Sequence, residues 1–168
     1  MSDESPLDRA KSLSLRVLAF HARTEQQLRR RLAAAGLEAE ADGAVAWLLR
    51  LGYLDDAAWA RATARSLLRP GRLGPLAAER RLLAAGIAAA AARAAVAAAL
   101  AEAPGGEGGA GSAELALCRA LAEKRARGAR PADLDERARA RLSRFLLGRG
   151  FSGQVVHRVV GLGADADP

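Results

Sequence analysis

Apolar residues recur along this chain at helical spacing, and no stretch alternates strictly, so the pattern predicts helices from end to end. Residues 1–11 are polar and read as a loose tail. From Ser12 onward, Leu15, Leu18 and Ala22 fall at i, i+3 and i+7. Thr24-Glu25-Gln26-Gln27 has the form of a capping box, with Thr24 at the N-cap and Gln27 three residues on. It opens a helix with Leu28 and Leu32 on one face and Arg29, Arg30 and Arg31 around the others. A third helix is expected over about 40–51, with Val45, Leu48 and Leu49 inward. Gly52 stops it, and Asp56 or Asp55 caps the next, expected over about 57–69. There Ala60, Ala64, Leu67 and Leu68 form the apolar side. Pro75 suits the first position of a following helix, which runs to Gly86, and an alanine-dominated helix over about 88–102 completes a second set. Residues 103–112 are glycine-rich and read as a flexible linker. A third set is expected at about 113–127, 132–147 and 152–161, with a tail at 163–168.

These elements echo. Leu32-Ala33-Ala34-Ala35-Gly36-Leu37 returns as Leu82-Leu83-Ala84-Ala85-Gly86-Ile87, and more loosely as Leu146-Leu147-Gly148-Arg149-Gly150-Phe151. Each copy is a helix ending: an inward leucine, a glycine able to take the left-handed conformation, and an apolar residue that packs back on the last turn. The chain therefore divides into an N-terminal tail (1–11), modules at 12–56, 57–102 and 113–162, and a linker (103–112) before the third. The fold class is all-α: an elongated array of three tandem three-helix repeats. Arrays of this kind bind more often than they catalyse.

Composition sharpens the picture. Hydrophobic residues make up 51% of the 168, but aromatics only 4%, and alanine dominates the apolar content. Such modules are individually marginal and should lean on their neighbours. Net charge is +7, and of 26 basic residues only Lys11 and Lys124 are lysine. The excess is uneven: residues 57–102 hold seven arginines against two acids, whereas residues 1–56 hold eight basic residues against nine acids. This balance points to a polyanion, or to an acidic or DNA-bound protein, as partner. A single cysteine, Cys118, fits a reducing compartment, no apolar run is long enough to span a bilayer, and the N-terminus lacks a signal-peptide pattern. A cytoplasmic chain without a membrane partner is expected.

Candidate chemistry is sparse. His21 and His157 have no second metal ligand at suitable spacing, Cys118 lies among leucines without a partner base, and the glycine run lacks the lysine and preceding strand of a phosphate loop. Asp55-Asp56 and Asp133, Asp135 and Glu136 read as helix caps. No catalytic, cofactor-binding or metal-binding residue is expected. The strongest functional feature is a row of arginines: Arg61, Arg65 and Arg69, continued by Arg72, spanning about 16 Å of helix with few acids nearby. Arg80 and Arg81, and then Arg137, Arg141 and Arg144, extend the basic character and suggest a binding strip. Aromatic residues interleaved for base stacking are absent, so contact with single-stranded DNA would be to phosphates. Trp47, Tyr53 and Trp59 flank the first junction and are expected to form the seam between modules one and two.

The chain resembles the RecX family, bacterial regulators of the RecA recombinase. The resemblance rests on Arg23-Thr24-Glu25-Gln26-Gln27-Leu28-Arg29-Arg30-Arg31-Leu32, on Gly52-Tyr53-Leu54-Asp55-Asp56-Ala57-Ala58-Trp59-Ala60, and on Arg72-Leu73-Gly74-Pro75 running into Glu79-Arg80-Arg81-Leu82-Leu83-Ala84-Ala85-Gly86-Ile87. Arg149-Gly150-Phe151 is a weaker fourth match. Within these motifs Glu25, Leu28, Leu32, Gly36, Gly52, Tyr53, Leu54, Asp55, Asp56, Trp59, Gly74, Leu82, Gly86, Ile87, Gly150 and Phe151 match as structural positions. Trp59 stands where the family more often has Phe.

The resemblance implies a curved array of three-helix repeats that binds in the groove of RecA filaments on single-stranded DNA. It further implies a protein that halts filament growth or promotes disassembly, lowering ATP hydrolysis, strand exchange and the co-protease activity behind the SOS response; a monomer is expected. Two other readings stay open: a basic helical nucleic-acid-binding protein acting by competition for DNA, and a helical scaffold for another protein.

Overall fold

Leu32, Leu82 and Leu146 are completely buried, and each ends its helix in the same way. The carbonyl of Leu32 accepts from the Leu37 amide at 3.0 Å, that of Leu82 from Ile87 at 3.1 Å, and that of Leu146 from Phe151 at 3.3 Å. The intervening glycines sit at φ +72°, +95° and +86°, where a side chain would be strained, and the apolar residue after each is buried. These endings close the middle helices of three modules in a computed structural model that describes residues 4–127 and 130–161. Module one comprises α1 (Pro6–Phe20), α2 (Glu25–Ala33) and α3 (Ala41–Arg50). Module two comprises α4 (Asp56–Leu67), α5 (Pro75–Ala84) and α6 (Ala89–Ala101), and module three α7 (Ala110–Arg125), α8 (Glu136–Gly148) and α9 (Gly153–Val160). Among the described residues there is no strand, and the architecture is the all-α repeat array that the pattern predicts.

The buried side chains form two groups, not one. Module one has its own core around Leu28, Leu32, Val45, Leu48 and Leu54. Modules two and three share a single core that runs from Ala60, Ala64 and Leu82 through Val96 and Leu100 to Leu117, Leu146 and Phe151. Alanine accounts for this continuity: Ala60 and Ala64 on α4 and Ala92, Ala95 and Ala99 on α6 are buried small residues that let the two helices pack closely, and α6 in turn packs on α7.

Successive modules are joined by one repeated device. The start of each middle helix docks on the glycine ending of the next. The buried Thr24 hydroxyl, at the N-cap of α2, donates to the Ala85 carbonyl at 2.6 Å. The Gly74 amide, at the N-cap of α5, donates to the Arg149 carbonyl at 2.9 Å, and Leu76 donates to Gly150 at 3.0 Å. At the first joint the Arg30 guanidinium also reaches the Ala84 carbonyl, and the Glu25 amide donates to Asp56 at 2.9 Å.

Several expectations change. The tail drawn over 1–11 is too long, because Ser5 caps α1 by accepting from the Asp8 amide at 3.2 Å and Pro6 starts the helix. The face of α1 turned inward carries Ala10 and Ser14 fully buried and Leu13, Val17 and Leu18 half-buried against the module-one core, with Leu15 and Ala22 exposed. Leu49 is likewise exposed, not inward. The glycine-rich segment is a compact connection: Gly105 is left-handed, Gly106–Gly108 forms a 3-10 turn, Gly109 takes a positive φ of 88° with extended ψ, and α7 begins at Ala110, inside the range read as linker. The C-terminal tail at 163–168 lies outside the described residues.

Candidate functional site

The capping carboxylate of Asp55 accepts from the Ala58 amide at 2.8 Å and so starts α4. From there the helix divides its surface. Ala60, Ala64 and Leu68 go into the core, and Arg61, Arg65 and Arg69 lie exposed on one flank. Arg61 and Arg69 enter no ion pair among the described residues. Arg65 differs from the expected free row: it forks onto Glu102, and this bond raises the guanidinium pKa and holds the Glu102 carboxyl below its ordinary range. Arg72 folds back on the Ser66 carbonyl at 3.1 Å and holds the turn after α4.

The row does not end there. Lys124, in the last turn of α7, brings its ammonium within 3.7 Å of where a side chain on Gly71 would begin, so it sits beside the turn that carries Arg69 and Arg72. The next residue, Arg125, lines a small cleft of about 190 Å³ together with Arg141. Arg125 and Arg149 also lie over the Phe145 ring, 5.2 and 4.9 Å from its centre, as cation–π partners. A basic track therefore passes from α4 through Lys124 and Arg125 to α8, where Arg137 and Arg144 are also exposed. Lys124 and Arg125 were missed because no local signal ties them to the Gly71 turn, more than fifty residues earlier. Arg80 and Arg81 are exposed on α5, and Arg81 lines a separate cleft with Trp59 and Leu67.

The motif residues serve the frame. Leu28, Leu32, Leu54, Leu82, Ile87 and Phe151 are core, and Gly52 closes α3 as Gly36 closes α2. Asp56 caps not its own helix but α2, through the Glu25 amide. Trp59 alone of the three aromatics bridges the seam, its indole donating to the Ala22 carbonyl at 3.1 Å. Trp47 packs on the module-one core beneath Lys11, and Tyr53 is 59% exposed. Cys118 is buried, and burial reinforced by the Glu114 charge pushes its thiol pKa up to about 12. Among the described residues no three His, Cys, Asp or Glu side chains gather where a metal could bind, and no helix is long and apolar enough to cross a membrane.

Over 158 residues the chain is 34% identical to the regulatory protein RecX of Acidithiobacillus ferrooxidans, a match covering 93% of this chain and 91% of the relative. The chain belongs to the RecX family. Regulatory protein RecX of Thermus thermophilus is 42% identical over 78 residues, 46% of this chain and 54% of that protein. Residues 112–160 match the family's third three-helix domain, which places module three within the family frame despite its looser repeat. In three dimensions the chain is similar to the crystal structure of RecX from Lactobacillus salivarius, with a TM-score of 0.72 at 19% identity, covering 94% of this chain and 96% of that one. A second crystal structure of regulatory protein RecX gives a TM-score of 0.74 at 21% identity, over 92% of this chain and 72% of that one. The relatives carry regulatory names, and the shared fold is the helical repeat array.

Proposed function

We propose that this chain is a non-enzymatic regulator that binds RecA filaments on single-stranded DNA and lowers their ATP hydrolysis, strand exchange and co-protease activity. The observation that carries the reading is the basic track, Arg61, Arg69, Lys124, Arg125 and Arg141, laid across modules two and three of a RecX-family array. A repeat array presents many modest contacts along its length, and linking them multiplies their effect on a polymer that repeats in step. A ligand that touches several protomers shifts the balance between filament states by its differential affinity for them. The exposed arginines answer DNA phosphates or acidic filament surface, so binding weakens with added salt.

The test is single-strand-dependent ATP hydrolysis by the cognate RecA while this protein is titrated at fixed moderate salt. Inhibition at amounts well below one per RecA is expected. An effect that appears only once bare DNA is saturated would replace this reading with competition for DNA.

A further inference from the structure

The repeated joint leaves one end unused. At the second and third glycine endings, the carbonyls of Ala85 and Arg149 each accept from the N-cap of the preceding middle helix. The corresponding carbonyl in module one is Ala35, and it accepts no hydrogen bond among the described residues. A side chain added at Gly86 or Gly150 would run into the docked helix within 2.4 Å, whereas at Gly36 it would meet nothing within 4 Å. Beside this open end lies a cleft of about 620 Å³ between α1 and α2, reaching Ala34 and floored by Val17 and Phe20. Phe20 is 80% exposed, the most exposed large apolar side chain described. The rim carries Arg23, Arg30 and Arg31, none in an ion pair among the described residues, and no acid lines the cleft.

We infer that this end of the array is a docking site for the first turn of an acidic helix from a partner protein. The two filled joints supply the geometry: a helix start, rich in unpaired N–H groups, set on the carbonyl end of another helix, with their dipoles aligned. Arg31, the rim arginine nearest the open end that holds no other partner among the described residues, takes a carboxylate in that first turn, where acids are favoured, and an apolar residue farther along the same helix covers Phe20. Two other occupants fit less well. A second copy would have to offer the start of α8, whose Asp135 carboxylate has no hydrogen to donate as the Thr24 hydroxyl does and whose Leu134 already packs on its own core. Nucleic acid would bring a long run of phosphates to residues 1–56, over which acids outnumber basic residues nine to eight, whereas residues 57–102 hold seven arginines against two acids. The site lies apart from the arginine row of α4, which lines neither this cleft nor the one beside Tyr53.

The probe is a short synthetic helical peptide opening Thr-Glu-Asp-Glu-Leu-Leu, fluorescent at its C-terminus, titrated with the full chain and read by anisotropy. Saturable binding is expected. Phe20→Ala and Arg31→Glu should each weaken it by about tenfold or more, whereas Arg61→Glu with Arg69→Glu should leave it unchanged. All four positions are exposed, and matching circular-dichroism melts establish that each variant is folded. No saturable binding, equal binding to every variant, or displacement of the peptide by oligothymidylate would overturn the assignment. So would concentration-dependent self-association in the ultracentrifuge that both Arg31→Glu and Asp135→Arg abolish, since the site would then belong to a second copy. The ATP-hydrolysis assay fails or succeeds independently of this result.

Discussion

Arg65 and Glu102 close a bidentate ion pair between the last turn of α4 and the C-cap of α6, with guanidinium nitrogens 2.6 and 2.9 Å from the two carboxylate oxygens. The pair sits at the surface, so its worth to stability is small, but it withdraws one arginine from a row that would otherwise present three. Glu102→Gln should return Arg65 to the row. Binding to single-stranded DNA, alone or within the filament, should then strengthen at low salt. The slope of log affinity against log salt should steepen by about 0.7 for the added phosphate contact. An unchanged slope would mean that Arg65 does not face DNA.

Removing charge from the track should do the reverse. Arg61→Glu with Arg69→Glu, both on exposed positions, should leave the melting temperature nearly unchanged while weakening filament binding and flattening its salt dependence. Lys124→Glu should add to that loss, because Lys124 continues the row across the Gly71 turn. Salt-titrated binding of the single and combined variants measures both.

Thr24 carries two duties at one oxygen. It accepts from the Gln27 amide at 3.1 Å, starting α2, and donates to the Ala85 carbonyl at 2.6 Å, joining modules one and two. Thr24→Ala removes a cap and orphans a carbonyl at a buried seam, for a combined loss of about 2–4 kcal/mol in urea unfolding. Thr24→Ser keeps the hydroxyl and should lose less than about 1 kcal/mol. Equal losses would mean that the methyl group, not the hydrogen bond, matters.

Two glycine substitutions should part company. A Cβ on Gly74 would sit 2.4 Å from the Gly150 carbonyl oxygen, so Gly74→Ala forces modules two and three apart and should cost about 1–3 kcal/mol. Gly111 lies in α7 with open space where a side chain would go. Gly111→Ala should stabilise by up to about 1 kcal/mol, since alanine loses less freedom in a helix. Thermal or chemical unfolding decides both.

The Cys118 thiol should resist labelling at neutral pH until the protein unfolds. Its folded pKa, about 12, lies above the ordinary 9.0, because burial disfavours the thiolate. The unfolded chain therefore gives up its proton first as pH rises. The contribution to stability is complete below pH 9.0 and is lost as pH climbs from there toward about 12. Cys118→Ala should remove that part of the alkaline slope, as read by unfolding across this range.

What the sequence makes legible is local. The Thr24 box and the three glycine endings each lie within six residues and form as expected, and of the two aspartates read as the cap of α4 it is Asp55 that caps it. The inward face of α1 is only partly legible, because beside Leu18 its fully buried members are small or polar: Ser14 is buried, yet its hydroxyl is satisfied by the Ala10 carbonyl at 2.7 Å. The glycine run reads as slack by composition, but Gly106 is pressed so closely on the Ala101 carbonyl that only glycine permits the tight turn. The arginine row of α4 was visible from its spacing. Its pairing with Glu102 and its continuation to Lys124 and Arg125 were not, since both depend on helices brought together from more than thirty residues away.

The division of the buried side chains into two groups gives the two joints unequal compliance. Opening the second would uncover a shared hydrophobic interior, a loss that grows with every square ångström exposed. Opening the first mainly releases N–H, hydroxyl and carbonyl groups, whose bonds water can replace. Modules two and three should therefore stay together under denaturant concentrations that already part module one from them.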